Sequence, residues 1–96
     1  MTKVILLSAA EVDYTESLIW YYERSIDTAS NFDVEFDAAL TEIANNPGRY
    51  PFCDQQHQFY LMRTFPFHII YRVVNNEVLV VAVAHGSREP RYCADR

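Results

Sequence analysis

The sequence has few of the residues that build disulfide scaffolds, flexible linkers or membrane spans. Its 96 residues include two cysteines, two glycines and four prolines. Two cysteines are too few for a disulfide scaffold, and a chain in the cytoplasm would keep them reduced. So little glycine and proline leaves no room for a low-complexity linker. The longest apolar runs, Val4–Leu7 and Val78–Ala84, are far shorter than the ~20 residues that cross a bilayer.

The N-terminus also lacks the apolar stretch of a signal peptide, so we expect a cytoplasmic protein without a membrane partner. The length predicts a single domain over residues 1–96. Because 50% of the residues are apolar and 15% aromatic, the chain can build a hydrophobic core, which argues against intrinsic disorder.

Basic charge is scarce and unevenly placed. The formal net charge is −5, and Lys3 is the single lysine. Residues 1–47 contain nine acidic against two basic side chains, whereas residues 48–96 contain six arginines against four acidic side chains. Proteins that bind nucleic acid through phosphates usually show a basic stripe. We therefore expect no direct DNA binding by this chain alone.

The first half of the chain predicts a strand followed by two helices. Lys3–Leu7 is a continuous run of β-formers, typical of a short buried strand. Ser8 and Glu11 form a capping-box pattern ahead of a helix that ends near Ser25. The apolar stripe predicted for this helix comprises Val12, Ile19, Tyr22 and Ile26.

The second helix has a clearer apolar repeat and a clear end. Its predicted core face comprises Ala29, Phe32, Phe36, Ala39, Leu40 and Ile43. Its acidic residues Asp33, Glu35, Asp37 and Glu42 are predicted to face away. The Asn45–Gly48 segment ends the helix because proline cannot continue it. The two helices therefore predict an antiparallel hairpin.

The second half predicts three strands after a loop. Pro47–His57 is typical of a loop, and Phe59–Phe65 and Phe67–Val74 are typical of strands. Asn75-Asn76 favours a hairpin turn, and the nearly all-apolar Glu77–His85 predicts a central strand. The sequence thus predicts an α+β fold, with an N-terminal strand and a helical hairpin packed on an antiparallel sheet of three further strands.

Two motifs resemble a known toxin family. Residues 63–72 read RTFPFHIIYR and residues 80–92 read VVAVAHGSREPRY. Together with the element order, they resemble the strand pair and the chain ending of the RelE/ParE toxin superfamily, and are most similar to ParE-like toxins of plasmid-stabilisation modules. The resemblance implies a bacterial type II toxin, neutralised by an antitoxin whose C-terminal segment wraps around it.

The superfamily includes two kinds of target. RelE-like members cut mRNA on the ribosome, and ParE-like members bind and block DNA gyrase. Metal-free RNA cleavage needs a base, an acid and cations for the phosphorane. The candidates for that chemistry are Arg63, Arg72, His85, Arg88 and Tyr92. The chain lacks the lysines that RelE-like ribonucleases carry between their helices and their sheet, and its negative charge would repel the ribosome, so both features disfavour this activity. A gyrase inhibitor is therefore the favoured interpretation. A ribosome-dependent mRNA endonuclease is the alternative, and an inactive module that retains antitoxin binding is the third interpretation.

A gyrase inhibitor needs a binding surface rather than a catalytic centre, and arginine and aromatic residues commonly anchor such surfaces. The expected target-facing residues are Arg88, Pro90, Arg91, Tyr92 and Arg96. The expected antitoxin-contacting residues are Trp20, Tyr21, Glu35, Asp37 and Glu42. The antitoxin segment that crosses the hairpin is predicted to place Lys or Arg opposite the three acidic residues.

Structural roles compete with these assignments. Arg63 and Arg72 can instead pair with carboxylates across the sheet, and His85 can instead close a strand end through a hydrogen bond. Cys53, His57 and Cys93 lack the paired spacing of zinc sites. We therefore expect no metal and no cofactor.

Overall fold

The computed structural model describes residues 2–86 and confirms the predicted α+β fold. In chain order its elements are β1 (Lys3–Leu6), α1 (Ser8–Tyr22), α2 (Ile26–Asn45), a 3-10 turn (Pro47–Arg49), β2 (Gln58–Leu61), β3 (Phe67–Val74) and β4 (Glu77–His85). The bounds of β3 and β4 are those predicted.

The four strands form one sheet in the order β1-β4-β3-β2. β4 lies inside the sheet, as its apolar sequence predicts, and pairs antiparallel with β3. β1 pairs parallel with β4, with Lys3 opposite Glu77 and Leu6 opposite Val80. β1 is a half-buried edge strand rather than a fully buried one, because nothing pairs with its other side in the described sheet.

β2 is shorter than predicted because the chain turns before Phe65. The Met62 N–H donates to the Phe67 carbonyl at 3.0 Å, and the Phe67 N–H donates to the Phe65 carbonyl at 2.8 Å. These bonds close a turn around Pro66, which has no N–H for a strand ladder. The predicted strand Phe59–Phe65 therefore loses its second half to this turn.

The β3–β4 hairpin has the predicted turn and an irregularity that was not predicted. Asn75 and Asn76 have φ values of 52° and 63°, which is the type I′ geometry that favours asparagine. Farther along, the pairing steps from Ile70 opposite Ala82 to Tyr71 opposite Val80. Val81 is thus the extra residue of a β-bulge, which changes the face to which later β4 side chains point.

The two helices are antiparallel, as predicted. Tyr21, near the end of α1, contacts Phe32 in the first half of α2, with ring centroids 5.3 Å apart. Tyr14, in the middle of α1, contacts Phe36 farther along α2, with ring centroids 4.5 Å apart. α2 is capped by Ser25, whose hydroxyl oxygen accepts the Thr28 N–H at 3.2 Å.

Two predictions for α1 are wrong. The N-cap residue is Leu7, and no side chain caps the start of the helix. Ser8 is already helical, so Ser8 and Glu11 form no capping box.

The predicted apolar stripe of α1 is exposed: Val12, Ile19, Tyr22 and Ile26 point away from the core. The opposite face, with buried Ala10 and half-buried Tyr14, Leu18 and Tyr21, packs on the core instead. Both faces of α1 are apolar at helical spacing, and the repeat alone could not choose between them.

The core lies between the helices and one face of the sheet. Five of the six residues of the predicted α2 core face pack there, and the sixth, Ala29, is also buried. The largest fully buried side chains are Tyr71, Phe32, Ile43, Ile69, Val78 and Val80. Buried Tyr71 donates to the Pro47 carbonyl at 2.6 Å, and the Gln58 amide donates to the same carbonyl at 2.8 Å. These bonds anchor the end of α2 to β2 and β3.

Candidate functional site

Arg63 forms an ion pair with Glu42. It follows β2 and donates to Glu42 Oε1 at 3.0 Å, while Tyr60 donates its hydroxyl to Glu42 Oε2 at 2.8 Å. Burial raises the pKa of Tyr60, and the Glu42 carboxylate raises it further. The Glu42 carboxylate thus joins α2 to β2 and to the residue that follows it. This is the pairing with a carboxylate that was given as the structural role of Arg63.

A cleft of about 330 Å³ lies beside this network. Its lining includes Arg49, Tyr50, Phe59, Leu61 and Arg63. The Arg49 guanidinium lies over the Tyr50 ring at 5.8 Å from its centroid, within the range of a cation–π contact. Because Arg63 retains a side chain that is 75% exposed, two guanidinium groups border one small surface. Arg49 was not among the predicted site residues.

Glu35 binds the turn before β3. Its Oε2 accepts the Thr64 backbone N–H at 2.9 Å. Burial would raise the pKa of Glu35, but hydrogen bonds from Thr64 and from the backbone of Arg63 and Phe65 hold it below its ordinary value. Glu35 and Glu42 are therefore half-buried structural acceptors, contrary to the prediction that they face away, whereas Asp33 and Asp37 are exposed as predicted.

Arg72 lies at the opposite end of the sheet from His85. Arg72 on β3 faces Leu79 in the register, and His85 lies six residues farther along β4, opposite Phe67. At about 3.3 Å per residue, the two are separated by roughly 20 Å. A single phosphate cannot reach both groups. Three residues of the predicted ribonuclease set lie in the described part of the chain: Arg63, Arg72 and His85. The structure does not bring Arg72 and His85 together.

His85 is exposed at the end of β4 and lies against an aromatic ring. Its imidazole contacts Phe67 edge-on, with ring centroids 5.0 Å apart. The next residue closes the strand end, because the Gly86 N–H donates to the Pro66 carbonyl at 2.6 Å. Gly86 has φ = 85°, a conformation that favours glycine.

The proposed target-facing segment lies outside the described residues. This applies to Arg88, Pro90, Arg91, Tyr92 and Arg96, and equally to Cys93. Cys53 is disulfide-bonded in the structure, so the expectation that both thiols are reduced is wrong at this residue. Within residues 2–86, no group of three metal-ligating side chains could hold a metal ion.

The predicted antitoxin-contacting aromatics of α1 have different environments. Trp20 is about half exposed, and the Arg24 guanidinium stacks on its ring at 3.7 Å from the centroid. Tyr21 is half-buried and contacts the rings of Phe32, Phe65 and Phe67. Trp20 is therefore available for a partner, and Tyr21 is mainly a core residue.

The exposed face of α1 is the feature that the sequence interpretation missed. Exposed apolar side chains on or beside this helix are Val12, Ile19, Trp20, Tyr22 and Ile26. A surface patch of this kind commonly marks an interaction site. Four of these residues were assigned to the core, and only Trp20 was predicted to contact a partner; the second apolar face of α1 could have revealed the rest.

Asp13 makes a contact between α1 and β4 that the sequence did not indicate. Its Oδ2 accepts the Val83 N–H at 2.9 Å. β1 pairs with β4 only as far as Val80, so the later outer edge of β4 has no strand beside it among the described residues. Asp13 satisfies one backbone donor of that edge from α1.

A model of the ParE toxin of type II toxin-antitoxin systems, parDE, matches residues 4–90. The chain belongs to this family. A search of solved structures matches this ParE-family chain to a chain of the "Chromosomal ParDE TA system from P. aeruginosa", with a TM-score of 0.68 and 17% sequence identity over 91% of this chain and 98% of that chain. At that identity the match shows a shared fold. The curated proteins include no significant match.

No helix in the described part of this ParE-family chain is both long enough and apolar enough to span a membrane.

Proposed function

We propose that this ParE-family toxin inhibits growth by binding DNA gyrase and that a cognate antitoxin neutralises it. The observation that supports a binding toxin over a nuclease is the dispersal of its described cationic groups. Arg63 is paired with Glu42, and Arg72 lies roughly 20 Å from His85 at ~3.3 Å per strand residue. Metal-free RNA cleavage requires a base, an acid and cations around one phosphate, whereas an inhibitor that binds its target requires only a surface.

An antitoxin partner is supported by the family and by the related structure, whose title names a ParDE toxin–antitoxin system. The exposed apolar face of α1, with Trp20 at its end, supports a contact on the helical hairpin. Asp37 is exposed and can face a basic partner side chain. Glu35 and Glu42 would contribute to that contact while keeping their internal hydrogen bonds.

The decisive experiment is a gyrase supercoiling assay with the purified toxin, run beside cell-free translation of a defined mRNA. We expect supercoiling to be inhibited, the inhibition to be reversed by the cognate antitoxin, and translation to proceed with no new mRNA ends. Codon-phased cuts in the mRNA would instead establish the ribosome-dependent endonuclease. Activity in neither assay, with antitoxin binding retained, would establish an inactive interaction module.

The proposed target-facing residues need a test of their own. We expect the combined substitutions Arg88→Ala, Arg91→Ala and Tyr92→Ala to abolish gyrase inhibition. The matched control is the combination Arg24→Ala, Arg49→Ala and Tyr22→Ala, which removes the same side-chain types from exposed positions outside that segment. Unchanged inhibition by the first variant, with a native circular dichroism spectrum, would contradict the assignment.

A further inference from the structure

Arg72 is a half-buried guanidinium without a counter-ion in the described structure. The ion pairs among residues 2–86 involve Lys3, Arg24, His57 and Arg63 as the cationic members. Arg72 is in none of them, although it is half-buried on β3 opposite Leu79. Charged side chains that are withdrawn from water are usually paired. The pairing that explains Arg63 therefore does not explain Arg72.

Arg72 opens onto a cleft of about 390 Å³. The lining includes Phe52, Gln55, Gln56, Gln58, Arg72 and Val73, and among residues 2–86 it contains no acidic residue. Phe52 is 59% exposed and Val73 is 42% exposed. The cleft thus combines one cation and several amides with apolar walls, a composition typical of ligand-binding surfaces.

The loop that supplies the amides is ordered by its own hydrogen bonds. Asp54 Oδ1 accepts the backbone N–H groups of Gln56 at 2.8 Å and His57 at 2.7 Å. Its other oxygen lies 2.9 Å from His57 Nδ1. The Gln56 and His57 hydrogen bonds hold the pKa of Asp54 below its ordinary value, against the effect of burial. Gln55 and Gln56 are consequently presented to the cleft from a fixed turn.

The same cleft borders a part of β3 that has no strand beside it on this side within residues 2–86. β2 begins at Gln58, opposite Tyr71, so Arg72–Val74 extend beyond it. Val74 and Glu77 flank the two-residue turn and face each other as its closing pair. Because backbone groups alternate sides along a strand, the N–H and C=O of Val73 point toward the cleft.

We propose that this cleft binds an extended segment of a partner protein, with a carboxylate on Arg72 and its backbone alongside Val73. A carboxylate matches the planar guanidinium through paired hydrogen bonds. Among the described residues the cleft provides one cation, in a chain of net charge −5, which suits one acidic side chain better than the repeated phosphates of a nucleic acid. The lining residues of this cleft come from the loop before β2, from β2 and from β3, and none belongs to the helical hairpin.

The test is a titration of the full-length, isotope-labelled toxin with blocked pentapeptides, followed by ¹H–¹⁵N NMR. The probe is acetyl-Thr-Val-Glu-Val-Thr-amide, and its matched control replaces Glu with Gln. We expect saturable shifts at the Val73 and Val74 amides and at the Gln55 and Gln56 side chains. The glutamine peptide should bind about tenfold more weakly, because a charge-assisted hydrogen-bond pair is lost.

Substitutions then assign the effect to the guanidinium. Arg72→Gln should reduce the affinity for the glutamate peptide to that of the glutamine peptide. Arg49→Gln, which removes the same charge outside this cleft, should leave the affinity unchanged. The comparison of the two peptides on the unsubstituted toxin keeps the proposal testable even where Arg72→Gln does not fold.

Three results would overturn the proposal. Equal affinity for the two peptides, or no shifts with either, would remove the carboxylate from the recognition. Equal shifts from sodium acetate alone at the peptide concentration would show an unspecific anion site. Tighter binding of a single-stranded pentauridylate at the same signals would assign the cleft to nucleic acid instead.

Discussion

At the scale of single residues, the Pro47 carbonyl is a shared acceptor that connects three elements. It lies in the 3-10 turn that follows α2, and it accepts hydrogen bonds from Tyr71 on β3 and from Gln58 on β2. Gln58 also donates to the Tyr50 carbonyl at 2.9 Å. Burial raises the pKa of Tyr71, with Tyr50 adding to the effect, so the phenol stays protonated as a donor.

This sharing predicts coupled substitutions. Tyr71→Phe and Gln58→Met should each lower the free energy of unfolding by about 1–2 kcal/mol, since each single variant leaves the carbonyl one donor. The double variant should cost about 1 kcal/mol more than the sum, because it leaves the Pro47 carbonyl without either donor. Urea denaturation measures all four proteins, and strictly additive values would contradict the shared-acceptor role.

Glu35 predicts a pH-dependent contribution to stability. The folded state lowers the pKa of Glu35 below its ordinary value of 4.5, so folding favours the ionised carboxylate. The stabilisation is present above pH 4.5 and is lost as the pH falls through the folded-state pKa. We expect Glu35→Gln to be destabilised by about 1–2 kcal/mol at pH 7, and the difference from the unsubstituted protein to shrink in acid.

The measurement is urea unfolding of both proteins from pH 7 down to pH 3. Glu16→Gln, which removes the same charge from an exposed α1 side chain, should change the stability by less than about 0.5 kcal/mol at pH 7. A difference for Glu35→Gln that stays constant across the pH range would show that its carboxylate charge does not contribute.

At the scale of elements, α1 is the helix whose two apolar faces have different roles. Leu18 packs against the core, while its neighbour Ile19 is 52% exposed. The sheet and α2 can cover only one side of this helix, and the other side remains at the surface. Adjacent residues of similar size therefore provide a direct test of the helix orientation.

We expect Leu18→Ala to lower the free energy of unfolding by about 2–3 kcal/mol, because it removes buried methyl groups and leaves space in the core. Ile19→Ala should change it by less than about 1 kcal/mol. If the exposed face binds the antitoxin, Ile19→Ala should weaken the complex more than Leu18→Ala does in folded protein. Chemical denaturation and calorimetric titration with the antitoxin measure the two effects, and the reverse order in either would contradict the orientation.

Elements with one unambiguous pattern could be predicted from the sequence. α2 has a single apolar face, and its end at Asn45 was predicted, although its first residue, Ile26, was assigned to α1. β3 and the nearly all-apolar β4 flank an Asn75-Asn76 turn, and both strands were predicted with their bounds. α1 failed because two faces satisfy the helical repeat. The end of β2 failed because the turn around Pro66 depends on a contact with Phe67, which local sequence does not reveal.

The candidate sites were less predictable because they depend on distances between elements. No local pattern shows that Glu42 reaches Arg63 across 21 residues, or that Asp13 reaches Val83 across 70. The register of β3 against β4 separates Arg72 from His85, and that register includes a bulge at Val81. Residue types indicated candidate chemistry, and only the fold could show which candidates lie together.

At the scale of the whole molecule, acidic charge and an exposed apolar face occur together. The chain has a net charge of −5, which opposes self-association, while the exposed face of α1 favours it. The double variant Val12→Glu and Ile19→Glu should therefore lower the self-association of the free toxin. Its free energy of unfolding should change by less than about 1 kcal/mol, since both side chains are exposed.

Sedimentation velocity over a range of concentrations measures this effect, with Thr15→Glu and Glu23→Gln as single-site controls at exposed positions of the same region. Unaltered association of the double variant would show that the exposed face does not mediate contacts between copies.

The parallel pairing of β1 with β4 has a consequence for when the sheet can form during synthesis. β1, at the start of the chain, finds its neighbour only when β4 has been made, and β3 also needs β4 beside it. A nascent chain that stops before Glu77 contains both helices but lacks β4, the strand that lies between β1 and β3 in the sheet. Contacts of such long sequence separation also slow folding. The sheet can therefore close only after β4 has been made, late in the synthesis of the chain.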